Sequence, residues 1–176
     1  IAYQVTANNA EAVINAGSIS NAGDVKVQAL LGGEKTTIGL GLAVNNDIQN
    51  TNKSQAGGFS ISGVNVRERA SARIEGDVTV EALDSDTDDD TNSLEVTAYN
   101  KSHIGAGGGA LYAGKTGAGL AVTWADIDDV DSSTAAIEAK IDGATLSNFD
   151  QLDLSARNLA RIGIGAAGVG LSNTAD

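Results

Sequence analysis

The segment Leu94-Glu95-Val96-Thr97-Ala98-Tyr99-Asn100-Lys101-Ser102-His103-Ile104-Gly105 returns as Leu152-Asp153-Leu154-Ser155-Ala156-Arg157-Asn158-Leu159-Ala160-Arg161-Ile162-Gly163, a displacement of 58 residues without a gap. In both copies aliphatic and polar side chains alternate. A period of two puts Leu94, Val96 and Ala98 on one face of a strand and Glu95 and Thr97 on the other. What persists between the copies is the apolar face, then the asparagine and the Ile-Gly pair, while the polar face varies and His103 meets no second histidine. A repeated reaction centre would keep its polar groups, so the motif reads as one rung of a stacked core. Shorter echoes, Gly23-Asp24-Val25-Lys26-Val27-Gln28-Ala29-Leu30 and Gly76-Asp77-Val78-Thr79-Val80-Glu81-Ala82-Leu83, obey the same rule. Chains that repeat in this way are built by stacking neighbouring units.

Other modules flank these rungs in a recurring order. Ile1 to Val5 reads as the end of a strand, and the Ala/Ile runs beginning at Ala10, Ala70 and Ala135 read as strands that lead through a short turn into an alternating segment. Gly23-Asp24 and Gly76-Asp77 supply turn chemistry, the glycine taking a positive φ and the aspartate bonding nearby amides. Glycine-spaced runs come next: Gly39-Leu40-Gly41-Leu42, Gly117-Ala118-Gly119-Leu120 and Gly168-Val169-Gly170-Leu171. Glycine at alternate positions bares one face of a strand and lets a neighbouring layer approach closely. The polar stretches Asn45 to Gln55 and Asp126 to Thr134 read as loops. This order is traversed nearly three times, with one interruption. Asp84 to Ser93 separates Ala82 from Leu94, and either a connection between rungs or the tip of an antiparallel hairpin fits it.

The apolar residues are mainly Ala, Val, Ile and Leu, with one Trp, two Phe and three Tyr, so a narrow layered interior suits them better than a round one. With no Met, and Ile at position 1, the 176 residues (1–176) read as a single β-solenoid segment of a longer repetitive chain. The formal net charge of −12 opposes nucleic acid and anionic membranes. Cysteine is absent, which excludes disulfides and thiol nucleophiles. No apolar run is long enough to cross a bilayer.

These features predict an all-β fold, a parallel β-helix. Coils of roughly 18–25 residues would give roughly eight coils and a rod about 35–40 Å long. An antiparallel sandwich is the competing architecture. The Gly-Asp-Val-x-Val-x-Ala segments, Asn100 with Ile104-Gly105, and the Gly-x-Gly-Leu-Ala-Val run together resemble the repeat regions of filamentous-haemagglutinin-like and leukotoxin-like bacterial exoproteins. That resemblance is one of repeat style over nearly the whole chain. It implies a right-handed winding of the β-helix, export by an autotransporter or two-partner route, a place on the cell surface or in the medium, and service as part of an adhesive fibre.

No residue is assigned a catalytic, cofactor or metal role, but several groups invite one. Carboxylates at Asp84, Asp86, Asp88, Asp89 and Asp90, and again at Asp126, Asp128, Asp129 and Asp131, are oxygen ligands of the kind calcium takes on a loop. Neither run has the glycine and distal Glu of an EF-hand, so a solvated acidic loop is the plainer reading. Asp126, Asp128 and Arg157 resemble the carboxylate and basic groups of β-helical polysaccharide-cleaving enzymes, without a spacing that ties them together. His103 is the sole histidine and is expected in a loop after the alternating strand. Gly105 to Ala110 lacks the strand-helix context of a dinucleotide loop. Trp124 and Tyr112 are candidates for a sugar-stacking surface or, more simply, for filling a corner.

The expectation is therefore a non-enzymatic stalk segment. Its partners would be neighbouring repeats of its own chain, other copies end to end, or a glycan or protein receptor, with no nucleic acid and no membrane insertion. The alternative is a β-helical polysaccharide-acting enzyme or glycan-binding module.

Overall fold

Two corner residues decide how the chain turns. At Gly76 and Gly143 the backbone has φ of 82° and 75°, a region open to glycine because it lacks a Cβ, and both follow an Ala/Ile run. A second corner uses asparagine in the same left-handed region, Asn21 (φ 55°) and Asn148 (φ 62°). Glycine therefore turns the first corner as expected at Gly76, whereas the turn before Val25 falls on Asn21 rather than on Gly23.

The computed structural model describes residues 1–44, 55–83, 91–113, 116–128 and 136–171. The first pass comprises β1 (Ala2–Ile14), β2 (Gly17–Ala22) and β3 (Val25–Val44). The second comprises β4 (Gln55–Glu75), β5 (Val78–Ala82) and β6 (Ser93–Ala113). The third comprises β7 (Thr116–Asp128), β8 (Ile137–Asp142), β9 (Thr145–Ser147), β10 (Gln151–Asn158) and β11 (Arg161–Leu171). Among the described residues all pairings are parallel and join successive passes. One long sheet stacks β1, β4 and then β7 with β8, the other stacks β3, β6 and then β10 with β11, and a short sheet of β2, β5 and β9 closes one end. The all-β parallel layering agrees with a β-solenoid and excludes the antiparallel sandwich.

The expected coil size needs correction. Leu152 pairs directly with Leu94, and Val25 pairs with Leu94 from the other side, so the 58-residue repeat is one full turn and not two or three. Among the described residues each sheet is three strands deep, in place of roughly eight short coils. The cause is strand length. β3 runs 20 residues and β4 and β6 each run 21, because the glycine-spaced module at Gly39 and the glycines from Gly105 to Gly109 stay extended and the chain does not turn at them. At about 3.3 Å per residue such a strand spans about 70 Å, so the molecule is a broad slab and not a narrow rod.

Register follows the apolar pattern. Val25, Leu94 and Leu152 form one column, Val27, Val96 and Leu154 the next, and Ala29, Ala98 and Ala156 a third. Opposite them stand Ala10, Ala70 and Ile137, then Ala12, Ala72 and Ala139, then Ile14, Ile74 and Ile141. The echo at Val78 belongs elsewhere: Val80 stacks on Ile19 and Leu146 in the short sheet. Glycine spacing serves the close approach expected of it. A Cβ on Gly41 would lie 2.1 Å from the Phe59 carbonyl oxygen, and one on Gly58 2.7 Å from that of Leu111, so the two long sheets converge to near contact away from the short sheet.

Candidate functional site

Along β4 the inward positions are Val64, Val66, Glu68, Ala70, Ala72 and Ile74, and all are buried. Glu68 is thus a carboxylate placed by strand period in the centre of the core, between the apolar cluster of Val64, Val66, Ile104 and Ala106 and that of Ala70, Ile74, Val96 and Ala98. It is 1% exposed. Three side chains from the facing sheet satisfy it. Lys35 Nζ donates to Oε1 at 2.5 Å, Ser102 Oγ donates to Oε1 at 2.6 Å, and Asn100 Nδ2 donates to Oε2 at 2.6 Å. Asn100 is itself held, its Oδ1 accepting the Ser102 backbone N–H at 2.9 Å. The third pass repeats this inner bond, Asn158 Oδ1 accepting from the Ala160 N–H at 3.1 Å.

Burial pushes the Glu68 carboxyl upward, but the bonds from Lys35, Ser102 and Asn100 outweigh it and hold the group below the ordinary glutamate range. Both oxygens are engaged and solvent does not reach them. The arrangement suits holding two sheets in register better than moving a proton. It was missed in the sequence although the signal was there: Val64-x-Val66-x-Glu68-x-Ala70-x-Ala72 puts a charge in phase with an apolar face, as do Asn100 and Ser102 after Ala98. Lys35 also falls in phase with Val27 and Ala29.

The outer face of the β1–β4–β7 sheet carries the exposed aromatic pair. Tyr3, Gly63 and Trp124 occupy one column across three strands. A Cβ on Gly63 would fall 2.1 Å from the indole, so Trp124 lies over the bare glycine, and its ring centroid is 5.9 Å from that of Tyr3 at a 34° tilt. In the next outward column Asn65 Nδ2 donates to Asp126 Oδ2 at 3.4 Å. Trp124 is thus partnered by Tyr3 and not by Tyr112, which covers Gly170 in the other long sheet.

The remaining candidates separate. Asp126 faces outward on β7, which continues to Asp128, so the expected loop begins later. Arg157 faces outward on the opposite sheet, its guanidinium 5.8 Å from the Tyr99 ring centroid. The imagined Asp126–Arg157 grouping is therefore not brought together. Asp84, Asp86, Asp88, Asp89, Asp90, Asp129 and Asp131 lie outside the described residues, as does the side chain of Asp128. Among the described residues no group of three or more His, Asp or Glu side chains is placed to hold a metal ion. His103 sits inside β6 rather than in a loop, stacked on Arg161 and Glu34. Gly105 to Ala110 is strand throughout. The strands on either side of the interruption at 84–93, β5 and β6, lie in different sheets and do not pair with each other, so they are not the arms of one hairpin, while residues 84–90 themselves lie outside the described residues. Two aspartates brace the entry to β6: Asp24 accepts from the Ser93 N–H at 3.1 Å, and Asp150 accepts from the Asn92 N–H at 3.0 Å. Asp24 thus bonds the next pass and not its own turn.

No protein-family model, curated protein or solved structure matches this chain.

Proposed function

We propose that the chain is a structural stalk segment of a secreted or surface-displayed bacterial fibre of the filamentous-haemagglutinin-like or leukotoxin-like kind. The observation that carries this reading is the in-register stacking of the three passes, with matching columns from Val25–Leu94–Leu152 to Ile14–Ile74–Ile141. Stacked passes extend without a new fold at each step, which is what a stalk requires. A right-handed winding belongs to the proposal, since parallel crossovers take that hand in about 98% of cases. The family resemblance adds the surface location and the adhesive context. Its partners would be adjoining repeats or further copies end to end, and its role non-enzymatic. Negative-stain microscopy of tandem copies tests it: straight, stiff fibres are expected, and flexible strings of separate beads would refute it.

A second reading, glycan binding, draws on the Tyr3–Trp124 pair beside Asn65 and Asp126, an aromatic floor with amide and carboxylate groups in the adjoining column. Its check is binding to a glycan array, with loss in Trp124→Ala at unchanged melting temperature. Polysaccharide cleavage is the weaker variant, and turnover on acidic polysaccharides that depends on Asp126 would rescue it.

A further inference from the structure

The outer face of the β3–β6–β11 sheet changes character along its length. Near the short sheet it carries Lys26, Gln28 and Glu95, joined by the Lys26–Glu95 ion pair at 3.2 Å. Beyond Glu34, His103 and Arg161 the charges stop: residues 36–44, 105–113 and 162–171 contain no Asp, Glu, Lys, Arg or His. Ile38, Leu40 and Leu42 stand outward there at 65%, 73% and 74% exposure. Contiguous apolar surface of this kind on a soluble domain marks an interaction site.

Relief across the face identifies what covers it. Going from β3 through β6 to β11, one column is Thr36, Gly105, Gly163; the next is Ile38, Gly107, Gly165; the third is Leu40, Gly109, Ala167. Large side chains thus form a ridge on the first pass and lean toward the glycines of the second. A Cβ built on Gly107 would be 3.7 Å from Ile38, and one on Gly109 3.1 Å from Leu40. From Gly163 to Ala167 the third pass is a trough, since a Cβ on Gly163 or Gly165 would meet nothing within 4 Å. A twofold axis parallel to the strands and centred on β6 exchanges first and third passes while keeping each column. It would seat Thr36 on Gly163, Ile38 on Gly165 and Leu40 on Ala167 of a second molecule. Ridge meets trough in these three columns, which is the self-complementarity an isologous contact needs, and the next column, Leu42, Leu111 and Val169, is bulky on all three strands and bounds the fit.

We infer that this face pairs with the same face of a second copy, side by side, a contact distinct from end-to-end stacking and independent of the stalk reading. Three strands about 4.8 Å apart and about 30 Å long present about 430 Å² each, so the pair buries about 900 Å², below the 1,200–2,000 Å² of a stable dimer. The association is accordingly weak and reversible for three passes. Added salt strengthens it, because the contact is uncharged while the net charge of −12 on each copy repels.

Sedimentation velocity over a concentration series at two salt levels tests this, with circular dichroism and thermal melting confirming that each variant folds. Gly165→Val, which fills the trough, and Ile38→Ala, which lowers the ridge, should each weaken association by about tenfold. The double variant should recover much of it, because the two positions face each other across the axis. A chain that stays monomeric at its highest soluble concentration overturns the inference, as does association that the single variants leave unchanged. Capture by phosphatidylcholine vesicles, lost in the same variants, would assign the face to lipid and also overturn it.

Discussion

Glu68 shows how one residue can bind two sheets. Removing its carboxylate leaves the Lys35 ammonium, its side chain only 10% exposed, with the Ser102 hydroxyl but no counter-charge, and breaking such a pair costs about 3–5 kcal/mol. Glu68→Leu should therefore lower the urea midpoint sharply, whereas Glu68→Leu with Lys35→Met should recover most of the loss, since an apolar pair of similar volume packs without a stranded charge. If the polar layer also specifies register, the double variant will be stable yet show doubled or broadened amide resonances, because a one-residue slip no longer exposes a charge. Acid is the second probe of the same residue. Its folded-state value lies below the ordinary 4.5, so its contribution is complete above that value and is lost as pH falls through the lowered one. The midpoint should hold steady toward pH 5 and decline below about 4.5, and Glu68→Gln should flatten that decline. A decline equally steep in both proteins would move the acid sensitivity elsewhere.

At the scale of the strand, glycine acts in two ways that one letter does not distinguish. Gly41 abuts the Phe59 carbonyl and Gly163 faces open space. Gly41→Ala should destabilise by about 1–3 kcal/mol through forced backbone movement, and Gly163→Ala should fall within about 0.5 kcal/mol of the parent. Thermal melts of the two variants give the contrast directly. The same ambiguity explains what the sequence conveyed. Period two in Val25-x-Val27-x-Ala29 and Leu94-x-Val96-x-Ala98 showed which side chains face inward, and the 58-residue displacement showed which rungs resemble each other. Neither shows how many corners lie between the copies, because the displacement is the same for one turn of 58 residues or three of fewer than 20. Only φ distinguishes a turning glycine such as Gly76 from an extended one such as Gly41, and φ is set by tertiary contacts. The buried polar layer was open to the same count that found the core, whereas the Tyr3–Trp124 pair was not, since it joins strands of the first and third passes across Gly63.

For the whole molecule, a pass of roughly 60 residues advances the stack by about 4.8 Å, while a coil of roughly 20 residues would advance it as far with a third of the chain. Long passes therefore favour breadth and stiffness over reach. Neighbour contacts also make the middle pass the best protected: among the described residues, all the buried apolar ones but Val27 and Ala29 belong to it. Inserting a second copy of residues 55–115 after Lys115 should consequently be accommodated, because Gln55 would enter where Thr116 now pairs with it. One conflict is foreseeable. The new Glu68 would stack on the old one, with no second Lys35, since Lys35 occupies the column of Ile104. Asn8, which sits in register with Glu68, indicates the remedy. The duplication carrying Glu68→Asn in the inserted copy should melt above the parent and thicken the slab by about 4.8 Å in solution scattering. The unmodified duplication should melt lower than this version, by the cost of an unpaired buried carboxylate. An inserted copy that melts as a separate, less stable transition would show that the passes do not stack freely, and the proposed stalk would lose its mechanism of extension.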